Sequence, residues 1–286
     1  MNNTKQTGDS RPIGVFDSGV GGLTVLREIR RLMPQESIIY VGDTARVPYG
    51  AKSPEQLLQY GQEIIRFLLN HKAKAVVLAC GTSSSNSYEQ LQSDFPNLPL
   101  IDVIRPGVST CFKLASNNSN DSACKPFRLG FIGTEATVRS GLFKRLLTEQ
   151  MPLINNQSQQ IDLKFTKACP LFAPMVEAGY TNNSVAQWVA DTYLSDWKGR
   201  IDALVMGCTH YPLLSNILKE TLGPIHLINL GTSAAQLTQL TLTNTLSLSN
   251  IPPTYQFFVS GHPDSFSRMA RYILEEDCYV QKIERF

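Results

Sequence analysis

The sequence predicts an α/β protein with largely parallel strands in two domains, and three observations predict it. Short apolar runs alternate with segments of helical period, the pattern of strands joined by crossover helices. The alternation pauses at a polar stretch, Asn117-Asn118-Ser119-Asn120-Asp121-Ser122, which reads as an exposed loop, and then restarts. The two halves also echo each other. Ile13-Gly14-Val15-Phe16-Asp17-Ser18 resembles Leu129-Gly130-Phe131-Ile132-Gly133-Thr134, and Val76-Val77-Leu78-Ala79-Cys80 resembles Leu204-Val205-Met206-Gly207-Cys208.

The elements follow in order. Ile13 to Phe16 is a strand, followed by a glycine-rich turn and a helix with Leu23, Leu26, Ile29 and Met33 on one face. Ser37 to Val41 is the second strand. The next helix carries a start signal: Ser53 as N-cap, Pro54 at the first helical position and Gln56 completing a capping box. Its apolar face runs through Leu57, Gly61, Ile64 and Leu68. Ala75 to Ala79 and Leu100 to Val103 are the third and fourth strands. After the polar stretch, strands are expected at Arg128 to Ile132, Leu163 to Thr166, Ala203 to Met206, His226 to Asn229 and Tyr255 to Val259.

Composition narrows the function. A formal charge of +2 over 286 residues makes no electrostatic case for nucleic acid or an anionic membrane. No apolar run approaches the roughly 20 residues that span a bilayer. Met1 to Arg11 is polar and lacks the apolar core of a signal peptide, so a cytoplasmic location is expected. The six cysteines (Cys80, Cys111, Cys124, Cys169, Cys208 and Cys278) show neither C-x-x-C pairing nor a neighbouring pair of histidines. They read as free thiols rather than zinc ligands or disulfides.

Ligands of open parallel sheets bind beyond the carboxyl ends of strands. Four polar clusters fall at such ends here: Asp17-Ser18-Gly19, Pro48-Tyr49-Gly50, Cys80-Gly81-Thr82 and Cys208-Thr209-His210. Each has a plain structural explanation: a glycine-rich turn is usually only a tight connection, and a lone strand-end cysteine is usually packing. Together they fit one chemical need. Inverting an amino acid's α-carbon takes a base on one face and an acid on the other, and a pair of thiols can serve both roles. Both cysteines are expected between a strand and a following helix, where backbone N–H groups favour an anion.

At these residues the chain resembles the glutamate racemases of the aspartate/glutamate racemase superfamily, over nearly its whole length after the tail. The resemblance is carried by Phe16-Asp17-Ser18-Gly19-Val20-Gly21-Gly22-Leu23-Thr24, Gly42-Asp43-Thr44-Ala45-Arg46-Val47-Pro48-Tyr49-Gly50 and Ala79-Cys80-Gly81-Thr82. Gly133-Thr134-Glu135-Ala136-Thr137, Cys169-Pro170-Leu171-Phe172 with Val176-Glu177, and Gly207-Cys208-Thr209-His210-Tyr211-Pro212-Leu213-Leu214 extend it.

The resemblance implies two pseudo-symmetric, flavodoxin-like α/β domains with the active site in the cleft between them. Residues 11–105 with 225–286 would form the first domain, residues 106–224 the second, and residues 1–10 a polar tail. Cys80 and Cys208 would be the catalytic thiols on opposite faces of the α-carbon, with Asp17 beside the first and His210 beside the second. Glu177 would assist from the second domain. Ser18, Tyr49, Gly50, Thr82 and Thr209 would contact substrate, with Pro48 shaping its loop and Asp17 and Gly81 alongside them. The resemblance implies no pyridoxal phosphate, no metal, and D-glutamate destined for peptidoglycan; it leaves the oligomeric arrangement open, a homodimer among the options.

The chain also departs from the family pattern. Gly81 stands where asparagine is usual, so the expectation is that Gly81→Asn would add a substrate contact and raise activity. Arg105, Asn229 and His262 occupy positions where acidic residues are common. Other readings stay open at this point: an aspartate racemase, another thiol-dependent isomerase, or a homologue that binds ligand without turning it over. A nucleotide-binding module is disfavoured, because Gly19-Val20-Gly21-Gly22 lacks the G-x-G-x-x-G register and no Walker lysine follows.

Overall fold

The computed structural model describes residues 8–117, 125–151, 160–245, 249, 251–284 and 286. Its first elements are β1 (Ile13–Asp17), α1 (Leu23–Leu32), β2 (Ile38–Gly42), α2 (Pro54–Asn70), β3 (Ala75–Leu78), α3 (Gly81–Asn86) and α4 (Tyr88–Asp94). Next come β4 (Leu100–Asp102), α5 (Ile104–Asn117), β5 (Phe127–Gly133), α6 (Glu135–Arg139), α7 (Leu142–Gln150), β6 (Ile161–Ala168) and α8 (Phe172–Glu177). The last are α9 (Ser184–Leu194), β7 (Ala203–Met206), α10 (Ser215–Leu222), β8 (His226–Asn229), α11 (Leu230–Thr245), β9 (Tyr255–Val259), α12 (Pro263–Leu274) and β10 (Val280–Lys282). The predicted strands all form. β10 was not anticipated, because a three-residue edge strand reading Val-Gln-Lys carries almost no apolar signal. Of the expected polar loop, Asn117 ends α5 and residues 118–122 lie outside the described residues, as do residues 1–7 of the tail.

The strands form two sheets, ordered β10-β9-β2-β1-β3-β4 and β6-β5-β7-β8, and every described pairing is parallel. Each sheet contains the same second-first-third-fourth order, β2-β1-β3-β4 in one and β6-β5-β7-β8 in the other. The sequence echo thus has a physical basis: β1 matches β5, and β3 matches β7. The expected domain limits need one correction. His226–Asn229 pairs with Ala203–Met206, so β8 is the fourth strand of the second sheet rather than a piece of a first domain resuming at residue 225.

Burial on both faces explains the apolar strands. Ile13 and Val15 face a central core shared by both sheets, while Phe16 faces the α2 side of the first sheet. In β5, Leu129 and Phe131 join the central core and Ile132 turns toward the α9 and α10 side. α11 packs on α1 and on α5, and α5 packs on α7, so helices fill the space between the sheets. The α2 cap is as predicted: Gln56 N–H donates to Ser53 Oγ at 3.3 Å and Ser53 N–H to Gln56 Oε1 at 3.1 Å. The buried face of α2 includes Leu57, Gly61, Ile64 and Leu68.

At the amino-terminal edge of the first sheet lies a fully buried ion pair. Lys74 Nζ sits 2.6 Å from Glu36 Oε2, with both side chains at 0% exposure. Lys74 Nζ also donates to the Asp9 carbonyl at 2.6 Å, and Glu36 Oε1 accepts the Ser249 N–H at 2.7 Å. Removing one partner leaves the other charge buried and alone. Lys74→Met is expected to destabilise the fold by about 3–5 kcal/mol in chemical denaturation, and the Lys74→Met/Glu36→Leu pair to recover much of that loss. A single variant as stable as the parent would show that the pair does not hold this edge.

Candidate active site

The carboxyl ends of the central strands supply the site. β1 ends on Asp17, β3 leads through Ala79 to Cys80, β5 leads to Thr134, and β7 leads through Gly207 to Cys208. In each sheet the order reverses between the first and third strands, which opens a crevice at that point. The two cysteines are topologically equivalent, each just beyond the third strand of its own sheet.

Cys80 is the buried N-cap residue of α3, and its Sγ lies 3.6 Å from Ser18 Oγ. Burial, reinforced by the nearby Asp17 carboxylate, pushes its thiol up to about 11, so it is protonated at neutral pH. Asp17 itself is buried. Its Oδ1 accepts the Gly19 N–H at 2.9 Å, and its Oδ2 accepts from Thr209 Oγ1 of the opposite sheet at 3.3 Å. Burial raises its proton affinity, against the pull of the His210 charge and of the Gly19 and Gly22 N–H groups.

The other thiol has a different setting. Cys208 Sγ lies 3.6 Å from His210 Nδ1, and His210 Nε2 lies 2.8 Å from Glu177 Oε1. Burial disfavours charge on the ring, but the bonds to Cys208 and Glu177 outweigh it and hold His210 up to about 10. An imidazolium there stabilises negative charge on the adjacent sulfur whenever it forms. Glu177 ends α8 with its side chain 45% exposed, reaching over the glycine-rich turn to within 3.9 Å of where a Gly19 side chain would begin. The segment after Cys208 is not the expected helix: a 3-10 turn over Tyr211–Leu214 precedes α10. Leu213 N–H bonds to the His210 carbonyl, and Pro212 lacks the N–H that an α-helical pattern would use.

The remaining predicted residues are brought to the same place, but most of their polar groups have protein partners. Thr82 Oγ1 meets Thr134 Oγ1 at 2.9 Å, and Thr134 continues to Thr137 at 2.9 Å, a hydroxyl chain between the sheets. Tyr49 packs with Leu57 against Cys80, yet its hydroxyl donates to Asp43 Oδ2 at 2.5 Å. Burial and that carboxylate push the phenol well above its ordinary range. Pro48 follows a cis peptide bond, and Gly50 faces Thr134 at ordinary contact distance.

Gly81 overturns the expectation attached to it. A Cβ built on Gly81 would lie 2.2 Å from the Gly207 carbonyl oxygen, so the backbones beside the two cysteines touch and no asparagine side chain fits. Sequence reasoning assigned no role to Gly21, Thr24, Thr134 or Asp43, although all four lie in the motifs that carry the resemblance. Their only signal was adjacency to the glycine-rich and Pro-Tyr-Gly segments. Asn229 Oδ1 caps α11 through the Gly231 N–H, His262 is the N-cap residue of α12, and Arg105 binds Asp102 and Glu89. None of these three has a described bond to the thiols. Cys169 is fully buried, and its carbonyl accepts the Tyr211 hydroxyl at 2.9 Å.

Among the described residues, no three His, Cys, Asp or Glu side chains gather as metal ligands would. No described helix is long and apolar enough to cross a membrane. A cavity beneath Arg128, Lys198 and His226 lies at the opposite, amino-terminal edge of the second sheet, where Arg128 is paired with Asp202, and its lining holds no cysteine.

Known proteins match this architecture closely. The family model described as Asp/Glu/Hydantoin racemase matches residues 13–238. A glutamate racemase of Geobacter metallireducens is 40% identical over 268 residues, covering 92% of this chain and 93% of its own length. The glutamate racemase of Thermus thermophilus, solved with beta-chloro-D-alanine, superposes with a TM-score of 0.81 at 36% identity, covering 96% of this chain and 97% of its own. That of Francisella tularensis, solved with D-glutamate, also has a TM-score of 0.81, at 32% identity and the same coverage. With two equivalent cysteines at matching strand ends and this likeness over nearly its full length, the chain belongs to the Asp/Glu/Hydantoin racemase family.

Proposed function

We propose that the chain interconverts L- and D-glutamate by passing the α-proton between Cys80 and Cys208, without a cofactor, and so supplies D-glutamate for peptidoglycan synthesis. The observation that carries this reading is the pair of buried thiols at equivalent positions of two facing sheets. Glutamate as substrate is supported by the named activity of the relatives and by the D-glutamate held in the Francisella tularensis structure.

Each side of the reaction has its own proton machinery. On one side the Cys208 thiolate, stabilised by the His210 imidazolium, removes the α-proton of L-glutamate. Cys80, a neutral thiol, delivers its proton to the opposite face and leaves a thiolate. In reverse, Asp17, with its raised proton affinity, takes the proton that Cys80 must lose and the His210 imidazolium gives one to Cys208, so that Cys80 removes the α-proton of D-glutamate while the Cys208 thiol protonates the opposite face. Glu177 holds the imidazolium in place through its bond to Nε2. Ser18, Gly50, Thr82, Thr209 and the backbone at Gly81 line the space for the substrate's carboxylate and ammonium groups. Pro48 and Tyr49 shape the wall beside Cys80.

Two outcomes test the pair of thiols. Cys80→Ser and Cys208→Ser should each lose about 10²–10⁴-fold in kcat in both directions, because a hydroxyl is a poor base and acid here. In deuterated water, product from either enantiomer should gain deuterium while recovered substrate stays largely protiated. A serine variant with near-parental racemisation, or equal early labelling of substrate and product, would overturn the two-thiol scheme.

Gly81→Ala, and more so Gly81→Asn, should lower kcat by about 100-fold, since even a 1 Å displacement of reacting groups costs that much. The added carbon would force Gly207 and Cys208 away from Cys80. An asparagine variant with improved turnover would show that the strand ends need not touch.

His210 sets a pH dependence. Its folded-state value of about 10 lies above the ordinary 6.5, so its contribution to stability is complete below pH 6.5 and is lost as pH rises through 10. The stability difference between the parent and His210→Asn should therefore be largest at pH 6 and shrink toward pH 10, followed by urea denaturation at each pH. A difference that grows with pH would mean that the ring is neutral.

A further inference from the structure

We propose that Thr24, in the first turn of α1, is a positioning residue that latches the Cys208-Thr209-His210 segment to the first sheet's side of the cleft. Thr24 Oγ1 lies 2.9 Å from the Thr209 carbonyl and 2.9 Å from the Gly21 carbonyl. The hydroxyl has one proton and can donate it to one of them at a time. The Gly21 carbonyl already accepts the Thr24 N–H at 3.0 Å, so the proton is worth more at Thr209. Thr24 is 1% exposed, which leaves little room for water to replace that bond.

The surroundings are shaped to receive the segment. A Cβ on Gly21 would lie 2.4 Å from Thr209 Oγ1 and 2.6 Å from His210 Nδ1, so both side chains rest directly on the bare turn. Thr209 is thereby tied twice, its carbonyl by Thr24 and its hydroxyl by Asp17. Since Thr209 sits between Cys208 and His210, these ties fix the peptide planes on both sides of it. They thus set how the sulfur and the imidazole face each other. If the segment lifts away, the Thr24 proton falls back on Gly21 within its own helical turn, and no buried donor is stranded. The latch therefore makes and breaks at small net cost, as a cleft that admits and releases substrate requires.

This role deepens the two-thiol reading, and its test separates the two. Thr24→Val keeps the shape and removes the hydroxyl; Thr24→Ser keeps the hydroxyl. The valine variant should show kcat about tenfold lower in both directions with KM changed less than twofold, while the serine variant stays within twofold of the parent. Independently of turnover, the rate of iodoacetamide alkylation at the Cys208 peptide, followed by mass spectrometry, should rise at least threefold in the valine variant alone. Parental alkylation and kcat in the valine variant would overturn the latch, as would equal impairment of both variants, which would assign the effect to packing. An inactive parent protein with the alkylation difference intact would instead sink the racemase reading and leave the latch standing.

Discussion

The site depends on a close approach of two backbones. Gly81 follows one cysteine and Gly207 precedes the other, and a Cβ on the first would lie 2.2 Å from the carbonyl oxygen of the second. Two thiols can share one α-carbon only if the strand ends that carry them come this near. Gly21 has the same role nearby, where the side chains of Thr209 and His210 occupy the space a side chain would need. Glycine is required at these positions for lack of room, since neither Gly81 nor Gly21 has a left-handed backbone. The surrounding sheets and the helices between them hold the two switch points face to face.

Across that approach the contacts are mostly hydroxyl bonds: Thr82 to Thr134, Thr24 to the Thr209 carbonyl and Thr181 to Tyr272, with Thr209 donating to the Asp17 carboxylate. Each bond between neutral groups has a net worth of roughly 0.5–1.5 kcal/mol, and the one to the carboxylate roughly 1.5–3 kcal/mol. A fully buried direct ion pair lies elsewhere, between Lys74 and Glu36 on the far edge of the first sheet. The division suits a cleft that must open for a charged amino acid while its two halves stay rigid.

The two sides of the cleft are equivalent in topology and unlike in electrostatics. Cys80 sits beside Ser18 and a buried aspartate, which keeps it a neutral thiol; Cys208 faces an imidazolium held by Glu177. The two sulfurs thus have opposite electrostatic surroundings, a buried carboxylate beside one and an imidazolium beside the other.

Much of this was legible in the residues alone. The apolar runs and the Ser53-Pro54-Gln56 start signal determine the strands and α2 because burial and capping are local demands. The paired Cys80 and Cys208, with Asp17 and His210 beside them, were readable because chemistry at a strand end needs particular side chains. The sheet that β8 joins was not, since His226–Asn229 reads equally well beside β7 or in the other sheet, and only pairing decides. Nor was the 3-10 turn after Cys208, the Tyr49 bond to Asp43, or the seat that Gly21 and Thr24 provide. Gly81 shows the difference most plainly. As a letter it looked like a missing amide, but in the fold it is the only residue small enough to fit. The sequence specifies which groups exist and what each segment prefers; which of them touch across the cleft, and how closely, is decided by the packing of two sheets that are remote in the chain.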